Sequence, residues 1–195
     1  MFDFIFETED QRDWQKRPGC HSNPFSCFFC HLLSVFNIKT VLDLTYGVGS
    51  FYEKCGNSIN IIAVDIVKWD WLVRPMEFHK SEAYEFIKSF DGKVDAVILD
   101  PPYRTERVNT RHNNDFYDVL YFGNMPLHEI IEIIKLAKTK AKYVILKYMP
   151  DNGELIKLLE LKPKYVITWR YIISHVKTTG NNNKVIRNST KIFIY

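Results

Sequence analysis

The chain alternates between two patterns of hydrophobic and polar positions. Apolar, β-branched runs suit strands that are buried on both faces, whereas apolar residues that recur every three or four positions suit amphipathic helices. Runs of the first kind stand at Thr40–Leu44, Asn60–Ile66, Met76–His79, Val94–Asp100 and Lys142–Tyr148. Because helical segments separate these runs, the pattern predicts repeated βα units and a mostly parallel sheet.

The helical pattern occurs in segments that flank and separate these strands. They are Pro24–Phe36, Glu82–Phe90, Leu127–Lys138 and Asn152–Glu160. The first is expected to have Asn23 as its N-cap and Pro24 at the first helical position, where a missing N–H costs nothing. Near the end of the chain, Tyr165–Ile173 and Ser189–Tyr195 are strand runs with no helix between them. They predict a terminal antiparallel pair and seven strands in all.

Residues 1–195 are predicted to form a single domain, because a chain of 195 residues with 46% hydrophobic residues can bury one core. Residues 1–23 are interpreted as an N-terminal extension. Residues 104–125 and 174–188 fit neither helix nor strand, and long loops in a compact domain usually serve function. The apolar runs are short, and the acidic start MFDFIFETED does not resemble a signal peptide. No membrane segment is therefore expected, and a cytoplasmic location follows by default.

Net charge and cysteine content say little about the function of the chain. The net charge of +3 means that affinity for phosphate backbones must come from local clusters of cations. Cys20, Cys27, Cys30 and Cys55 are predicted to be reduced thiols, because a disulfide framework is not expected in an intracellular chain of this length. Cys27 and Cys30 with His31 spell a haem-attachment or metal pattern. This segment lies on a predicted apolar helix, however, and its cysteines are interpreted as core residues, so no metal site is expected.

A glycine-containing turn follows the first predicted strand. It runs from Asp43 through Gly47 to Gly49 and enters a helix, so that its backbone can approach a ligand closely. A dinucleotide site needs a third small residue, but Tyr52 stands there, which disfavours NAD or FAD. A smaller nucleoside ligand remains, and Asp65 at the end of the second predicted strand suits its ribose hydroxyls. Taken alone, the turn is equally compatible with a purely structural glycine pair.

The fourth predicted strand ends in Asp100-Pro101-Pro102-Tyr103. Together with the upstream glycine turn, this motif resembles the DNA and RNA amino-methyltransferases, which carry Asp/Asn/Ser-Pro-Pro-Tyr/Phe after their fourth strand. The resemblance covers most of residues 20–150. It implies an α/β, Rossmann-like methyltransferase sandwich with a mostly parallel seven-stranded sheet and a C-terminal antiparallel strand pair, and S-adenosyl-L-methionine as the cofactor. A Pro-Pro-Tyr turn that merely ends a strand is the alternative.

The resemblance assigns a chemical role to each residue of this turn. Pro101 and Pro102 fix φ and lack backbone donors, so they form a rigid turn whose carbonyls can accept hydrogen bonds. The Asp100 carboxylate and the Pro101 carbonyl would accept the two N–H bonds of an exocyclic amine and aim its lone pair at the cofactor methyl group. Tyr103 would stack on the extruded base. Transfer from a sulfonium then depends on positioning and needs no metal.

The resemblance also implies a cofactor site around the glycine turn, made of Asp43, Thr45, Gly47, Gly49, Asp65, Glu82 and His21. Glu82 matches the place of a polar contact to the cofactor adenine, although a helix N-terminal acid favoured by the macrodipole is the alternative. His21 lies in a segment that matches the one beside the methionine carboxylate. Thr45 stands where the family usually has Phe, so the chain departs from the family pattern at the residue that would cover one edge of the cofactor.

The two long loops have the composition of a nucleic-acid contact. The first combines Arg104, Arg107 and Arg111 with asparagines and aromatic rings, and the second carries Lys177 with other cations. Solvated polar loops are the alternative. Larger DNA-modifying members of the family have a separate target-recognition region, for which this chain has no room. Sequence recognition is therefore expected from the two loops, from a homodimer or from a recognition partner.

Adenine N6 methylation of DNA is the first expectation, because the Asp-Pro-Pro-Tyr spelling is commonest among enzymes of that kind. Cytosine N4 would use the same geometry. RNA base methylation, at adenine N6 or guanine N2, is the runner-up. A non-catalytic nucleic-acid-binding protein on the same fold is a further alternative, against which the intact Asp100 and both glycines count. Tyr52 disfavours a nicotinamide-dependent oxidoreductase.

Overall fold

The structure, a computed structural model, describes residues 5–101, 125–177 and 183–195, and the side chains of these residues except in 172–177 and 183–188. The strands in this part of the chain are β1 (Ile5–Asp10), β2 (Thr40–Asp43), β3 (Asn60–Asp65), β4 (Glu77–Lys80), β5 (Val94–Leu99), β6 (Ala141–Tyr148), β7 (Tyr165–Lys177) and β8 (Asn183–Ile194). They form one sheet in the order β1-β7-β8-β6-β5-β2-β3-β4. The architecture is therefore α/β with a mostly parallel sheet, as the sequence predicts.

The direction of the strands fixes where a ligand can bind. All neighbouring strands are parallel except β8, which is antiparallel to both β6 and β7. From β2 the chain proceeds to β3 and β4 on one side, and then returns to β5 and β6 on the other side. The order therefore reverses between β2 and β5, and ligands of open α/β sheets bind outside the carboxyl ends of the strands at such a point.

Helices cover both faces of the sheet. They are α1 (Gln11–Gln15), α2 (Pro24–Val35), α3 (Ala83–Ser89), α4 (Leu127–Lys140) and α5 (Asn152–Glu160). Because successive side chains of a strand point to opposite faces, Val41 packs with α1 and α2 while Leu42 packs with α3, α4 and α5. Helix α2 begins as predicted, since the Asn23 side chain accepts a 3.0 Å hydrogen bond from the Ser26 amide.

Within the described residues the sheet has eight strands rather than the predicted seven. The additional strand, β1, lies within the stretch interpreted as an N-terminal extension and pairs in parallel with β7. Its first four residues are exposed, including Ile5 and Phe6, so it carries no burial pattern that the sequence could reveal. Backbone pairing at the sheet edge holds it instead. The following helix, α1, is fixed by the buried ring of Trp14, whose Nε1 donates to Glu9.

The predicted loop at residues 174–188 is mostly strand. β7 continues to Lys177 and β8 begins at Asn183, with pairs such as Ser174 with Ile186 and Lys177 with Asn183. Among the described strands, β1 pairs with β7 only up to residue 170 and β6 pairs with β8 only from residue 191. The hairpin therefore extends past its neighbours, and its hydrogen bonds do not require the apolar alternation that sequence patterns detect.

The cysteine prediction is wrong. Cys20 pairs with Cys27 and Cys30 pairs with Cys55 as disulfides, with Cα–Cα distances of 5.7 and 5.0 Å. The sequence argument used the expected compartment, whereas pairing depends on the fold bringing two Cα atoms within bonding range. The cytoplasmic location, which was expected from the short apolar runs and the acidic start of the chain, stays a prediction. No helix among the described residues has the length and apolar character required to span a membrane.

Candidate active site at the carboxyl ends of the strands

Three aspartates meet where the strand order reverses. Asp43 ends β2, Asp65 ends β3, and Asp100 follows the last residue of β5. Because these three strands are adjacent and parallel, their carboxyl ends lie at the same edge of the sheet. The sequence places each acid at a strand end, and the topology brings them together.

The glycine turn is tied to β3 through Asp65. The Gly47 amide donates to Asp65 Oδ2 across 2.8 Å, and the Val67 amide donates to Oδ1 across 3.0 Å. Gly47 has a φ of 57°, and a Cβ added there would meet nothing within 4 Å. The turn therefore leaves open space at Gly47. A carboxylate has about four acceptor sites, so two remain at Asp65 for hydroxyl groups of a ligand.

Gly49 has a different role, because its surroundings are filled. Its φ is 77°, and an added Cβ would lie 2.5 Å from the Tyr46 hydroxyl oxygen and 2.9 Å from the Val73 carbonyl oxygen. The Tyr46 hydroxyl itself donates to that carbonyl across 2.6 Å. Gly49 therefore allows the turn to pack against the segment that follows β3.

Asp43 lies beneath the turn and shapes it. The side chain is 2% exposed, and it accepts hydrogen bonds from the Thr45 amide at 3.0 Å and the Tyr52 hydroxyl at 2.7 Å. Burial, together with the charges of the nearby Asp100 and Asp65, raises the pKa of Asp43 to about 7 against the lowering effect of these hydrogen bonds. Because burial and like charges disfavour the ionised form of Asp43, a positive charge bound close to it would be stabilising.

Thr45 connects the glycine turn to the turn that follows β5. Its Oγ1 accepts a 2.7 Å hydrogen bond from the Asp100 amide. The aspartate predicted to be catalytic is thus adjacent to the predicted cofactor turn. The hydroxyl of Thr45 makes this bond possible, and the phenylalanine usual at this position in the amino-methyltransferases has no acceptor there.

Lys147 on β6 is the residue that the sequence interpretation missed. Its Nζ donates to both carboxylate oxygens of Asp100, at 2.9 Å each. The same ammonium group lies 5.6 Å from the ring centre of Phe25 and 5.3 Å from that of Phe51. Burial raises the pKa of Asp100, and the charge and hydrogen bonds of Lys147 oppose this. The run Ala141–Tyr148 contains two lysines, and the signal that could have revealed the site is the one directly after the buried residues at the carboxyl end of the strand.

The remaining predicted residues divide into those that the structure describes and those that it does not. Pro101 is buried directly after Asp100. Pro102, Tyr103, Arg104, Arg107 and Arg111 lie outside the described residues, so their roles stay predictions. Lys177 is the last residue of β7, and its side chain also lies outside the description.

Glu82 and His21 are both exposed at the borders of the site. Glu82 is the N-cap of α3 and makes no side-chain capping bond. The preceding residue, Ser81, donates its amide to the Asp65 carbonyl, which places Glu82 near the end of β3. His21 precedes Asn23, whose side-chain amide donates to the carbonyl of Ser50 just after the glycine turn. A contact with the cofactor stays a prediction for each of them.

Within residues 5–101, 125–177 and 183–195, no group of three or more histidine, cysteine or acidic side chains could hold a metal ion. Cys27 and Cys30, which the sequence places in a metal-like pattern with His31, are both engaged in disulfides.

Comparison with known proteins identifies the fold. No protein-family model matches the chain, and no curated protein sequence matches it. A candidate RNA methyltransferase from Pyrococcus horikoshii is similar in structure, with a TM-score of 0.55 and 16% identity over 92% of this chain and 85% of that protein. A S-adenosylmethionine-dependent methyltransferase from Agrobacterium tumefaciens has a TM-score of 0.56 and 15% identity over 88% of this chain and 61% of that protein.

A candidate rRNA methylase from Clostridium thermocellum is also similar, with a TM-score of 0.50 and 15% identity over 88% of this chain and 97% of that protein. These likenesses show that the chain has the Rossmann-like fold of S-adenosylmethionine-dependent methyltransferases. The predicted fold class is confirmed, with an additional strand at one edge of the sheet.

Proposed function

We propose that this protein transfers a methyl group from S-adenosylmethionine to the exocyclic amino nitrogen of a nucleic-acid base. The observation that carries the proposal is the hydrogen bond between the Asp100 amide and Thr45 Oγ1, which joins the two turns on which the sequence resemblance depends. A methyl donor on one turn and an amine acceptor on the other would then be neighbours. Such proximity supplies much of the rate in a direct transfer.

The side chains around the glycine turn fit this cofactor chemically. Asp65 has acceptor capacity for ribose hydroxyls, and the open space at Gly47 allows a ligand to approach the backbone. The buried Asp43 favours a positive charge close to it, because burial and two neighbouring carboxylates raise its pKa to about 7. When bound, S-adenosylmethionine supplies an activated methyl group on a positively charged sulfur.

Asp100 supports the choice of an amine as the methyl acceptor. Its side chain is 21% exposed, so it is reachable from the carboxyl edge of the sheet although mostly shielded from water. A carboxylate and the carbonyl of the following proline are acceptors only, and an exocyclic amine is a pure donor. Together they would hold both N–H bonds of the amine and orient its lone pair. The proton released after transfer would leave from the product nitrogen, so Asp100 need not be a strong base.

Adenine N6 in DNA is the first substrate that we propose, from the Asp-Pro-Pro-Tyr spelling. RNA, at adenine N6 or guanine N2, is the second candidate, and the structural similarity to two candidate RNA methyltransferases favours it. The cations predicted to contact the phosphate backbone, Arg104, Arg107, Arg111 and Lys177, suit either polymer.

The experiment is methylation of unmethylated plasmid DNA and of structured RNA with isotope-labelled S-adenosylmethionine, followed by mass spectrometry of the nucleosides. We expect labelled N6-methyldeoxyadenosine, or a methylated nucleoside from RNA if the second substrate is correct. Asp100→Ala is expected to reduce the yield about a hundredfold or more, because it removes a preorganised hydrogen-bond partner of the reacting group.

Asp91→Ala is the matched control, because this exposed aspartate precedes the amino end of β5 and lies far along the strand from Asp100. It should methylate at the wild-type rate. Full activity of Asp100→Ala would refute the mechanism. Binding of oligonucleotide without binding of the cofactor in calorimetry would instead identify a non-catalytic nucleic-acid-binding protein.

A further inference from the structure

A lysine and an aspartate on neighbouring strands form an ion pair inside the candidate active site. Lys147 Nζ donates to Oδ1 and Oδ2 of Asp100, both at 2.9 Å, so the ammonium group bridges the two oxygens. The pairing follows from the sheet register, in which Leu99 lies beside Leu146, and Asp100 and Lys147 are the residues that follow them. The backbone of the sheet therefore places the two residues side by side.

Aromatic rings and a backbone hydrogen bond hold this pair in place. Phe25 on α2 and Phe51 in the 3-10 helix Ser50–Tyr52 lie within 6 Å of the Lys147 ammonium, and Thr45 fixes the Asp100 amide. The side chains of Lys147 and Asp100 are 15% and 21% exposed. Electrostatic interactions are strong in such a shielded site, and neither side chain can turn away without losing contacts.

The charges around Asp100 show how Lys147 affects the protonation of this acid. Among the described groups, Lys147 faces Asp100 from β6, while Asp43 at the end of β2 repels it electrostatically and Asp65 adds negative charge beside Asp43. Without the lysine, burial and these like charges would both favour the protonated acid. A protonated carboxyl group is a hydrogen-bond donor and would oppose the N–H bonds of an amine.

We infer that Lys147 is a positioning residue of this site, which keeps Asp100 a charged acceptor and fixes the orientation of its carboxylate, so that a remaining lone pair can accept an N–H bond of the methyl acceptor. The inference rests on the proposed function, since it concerns how Asp100 holds that amine. Two bonds from one ammonium group use about half of the acceptor capacity of a carboxylate, so Asp100 can still accept from the substrate. The lysine itself acts through Asp100 and needs no contact with the reacting atoms.

The test is the pH dependence of kcat/KM in Lys147→Met and Lys147→Arg, measured on the nucleic acid that the wild type methylates. Activity requires ionised Asp100, so it falls as the pH decreases through the pKa of this group. Loss of the neighbouring cation should move this acidic limb upward by about one to three pH units in Lys147→Met. Activity should recover at alkaline pH, and Lys147→Arg should keep the wild-type profile because it keeps the charge.

A double-mutant comparison separates this effect from a structural one. In Asp100→Asn the amide oxygen still accepts but cannot be protonated, so adding Lys147→Met to it should leave the pH profile unchanged. Circular dichroism checks the folding of each variant. If Lys147→Met does not fold, Lys147→Gln serves the same comparison, because it can still donate to Asp100 without carrying a charge. An acidic limb that is the same in the wild type and in the neutral variant would overturn the inference.

Carbon-13 NMR of the Asp100 carboxyl group distinguishes failure of this inference from failure of the proposed function. The signal is assigned by its absence in Asp100→Asn, and its titration needs no substrate. If the wild type methylates neither DNA nor RNA, the proposed function fails, but the titration should still move to higher pH in Lys147→Met. Identical titrations in the two proteins would refute the role of Lys147 even in an active methyltransferase.

Discussion

The hydroxyl group of Tyr52 donates a 2.7 Å hydrogen bond to the buried carboxylate of Asp43. Tyr52 occupies the position at which a dinucleotide-binding turn requires a small residue. Its ring is 2% exposed and packs parallel to that of Tyr46, with 5.7 Å between ring centres. The residue that disfavours a dinucleotide therefore also satisfies the acid beneath the glycine turn.

Tyr52→Phe should destabilise the protein by about 1–3 kcal/mol at alkaline pH, because it leaves an oxygen of the buried Asp43 without its donor. The pKa of Asp43 is about 7 in the folded protein and 3.8 without the fold, so the folded state binds this proton more tightly. The stability contributed by Asp43 is therefore greatest in acid and falls as the pH rises from about 4 to about 7. Urea unfolding should therefore show that Tyr52→Phe loses less stability, relative to the wild type, at acidic pH, where Asp43 is protonated.

Tyr46→Phe is the matched control for this prediction. The Tyr46 hydroxyl donates to the carbonyl of Val73, which has no charge to titrate. Its loss of stability should thus be the same in acid and in alkali. If the two tyrosine variants showed the same pH dependence, the interaction of Tyr52 with the charged form of Asp43 would not be the cause.

Affinity for S-adenosylmethionine should increase with pH and level off above neutrality. A bound cation favours ionised Asp43, whose pKa is about 7, so binding in acid must release a proton. One coupled proton gives at most about a tenfold increase between about pH 6 and about pH 8. Isothermal titration calorimetry measures this directly.

S-adenosylhomocysteine lacks the charged sulfur and should show a smaller increase. Asp43→Asn should bind with little pH dependence, because the side chain no longer titrates. A wild-type affinity that is flat across this range would show that Asp43 is not coupled to the bound cofactor.

The two glycines of the turn should respond differently to alanine. Gly49→Ala should cost roughly 2–5 kcal/mol of stability, because a positive φ is combined with a Cβ only 2.5 Å from the Tyr46 hydroxyl oxygen. Gly47→Ala should cost about 1–2 kcal/mol, from φ alone. The added methyl group of Gly47→Ala would lie in the open space that we assign to the cofactor, so this variant should also bind the cofactor more weakly. Thermal unfolding and calorimetry test the two effects, and a reversed order of stability would contradict this assignment.

The two disulfides should stabilise the fold unequally. Cys30 and Cys55 are 25 residues apart, whereas Cys20 and Cys27 are 7 apart. Cross-linking the longer loop restricts the unfolded chain more, by about 1 kcal/mol in the chain-entropy model. Replacing each pair by alanines and measuring urea unfolding under oxidising conditions tests this. Under reducing conditions the wild type should lose stability, and the variant that lacks both pairs should not.

The central part of the fold was accessible from the sequence because buried strands and amphipathic helices leave a regular hydrophobic pattern. The ends of β2, β3 and β5 differ from the predicted bounds by a single residue. β1 has no such pattern, because its first residues are exposed and backbone hydrogen bonds hold it. The outer part of the β7–β8 hairpin is paired through its backbone, and such pairing does not depend on a hydrophobic pattern.

In the candidate site, too, some features follow from the local sequence and others only from the tertiary structure. Local sequence determined that Asp43, Asp65 and Asp100 would each stand at the carboxyl end of a strand, and that glycines would turn the chain after the first of them. Strand order and register decided that Thr45 bonds to Asp100 and that Lys147 neutralises it. These pairs join residues distant along the chain, and hydrophobic periodicity carries information only about neighbours in sequence. Contacts of this kind, like the pairing of Cys30 with Cys55, arise only when the sheet has assembled.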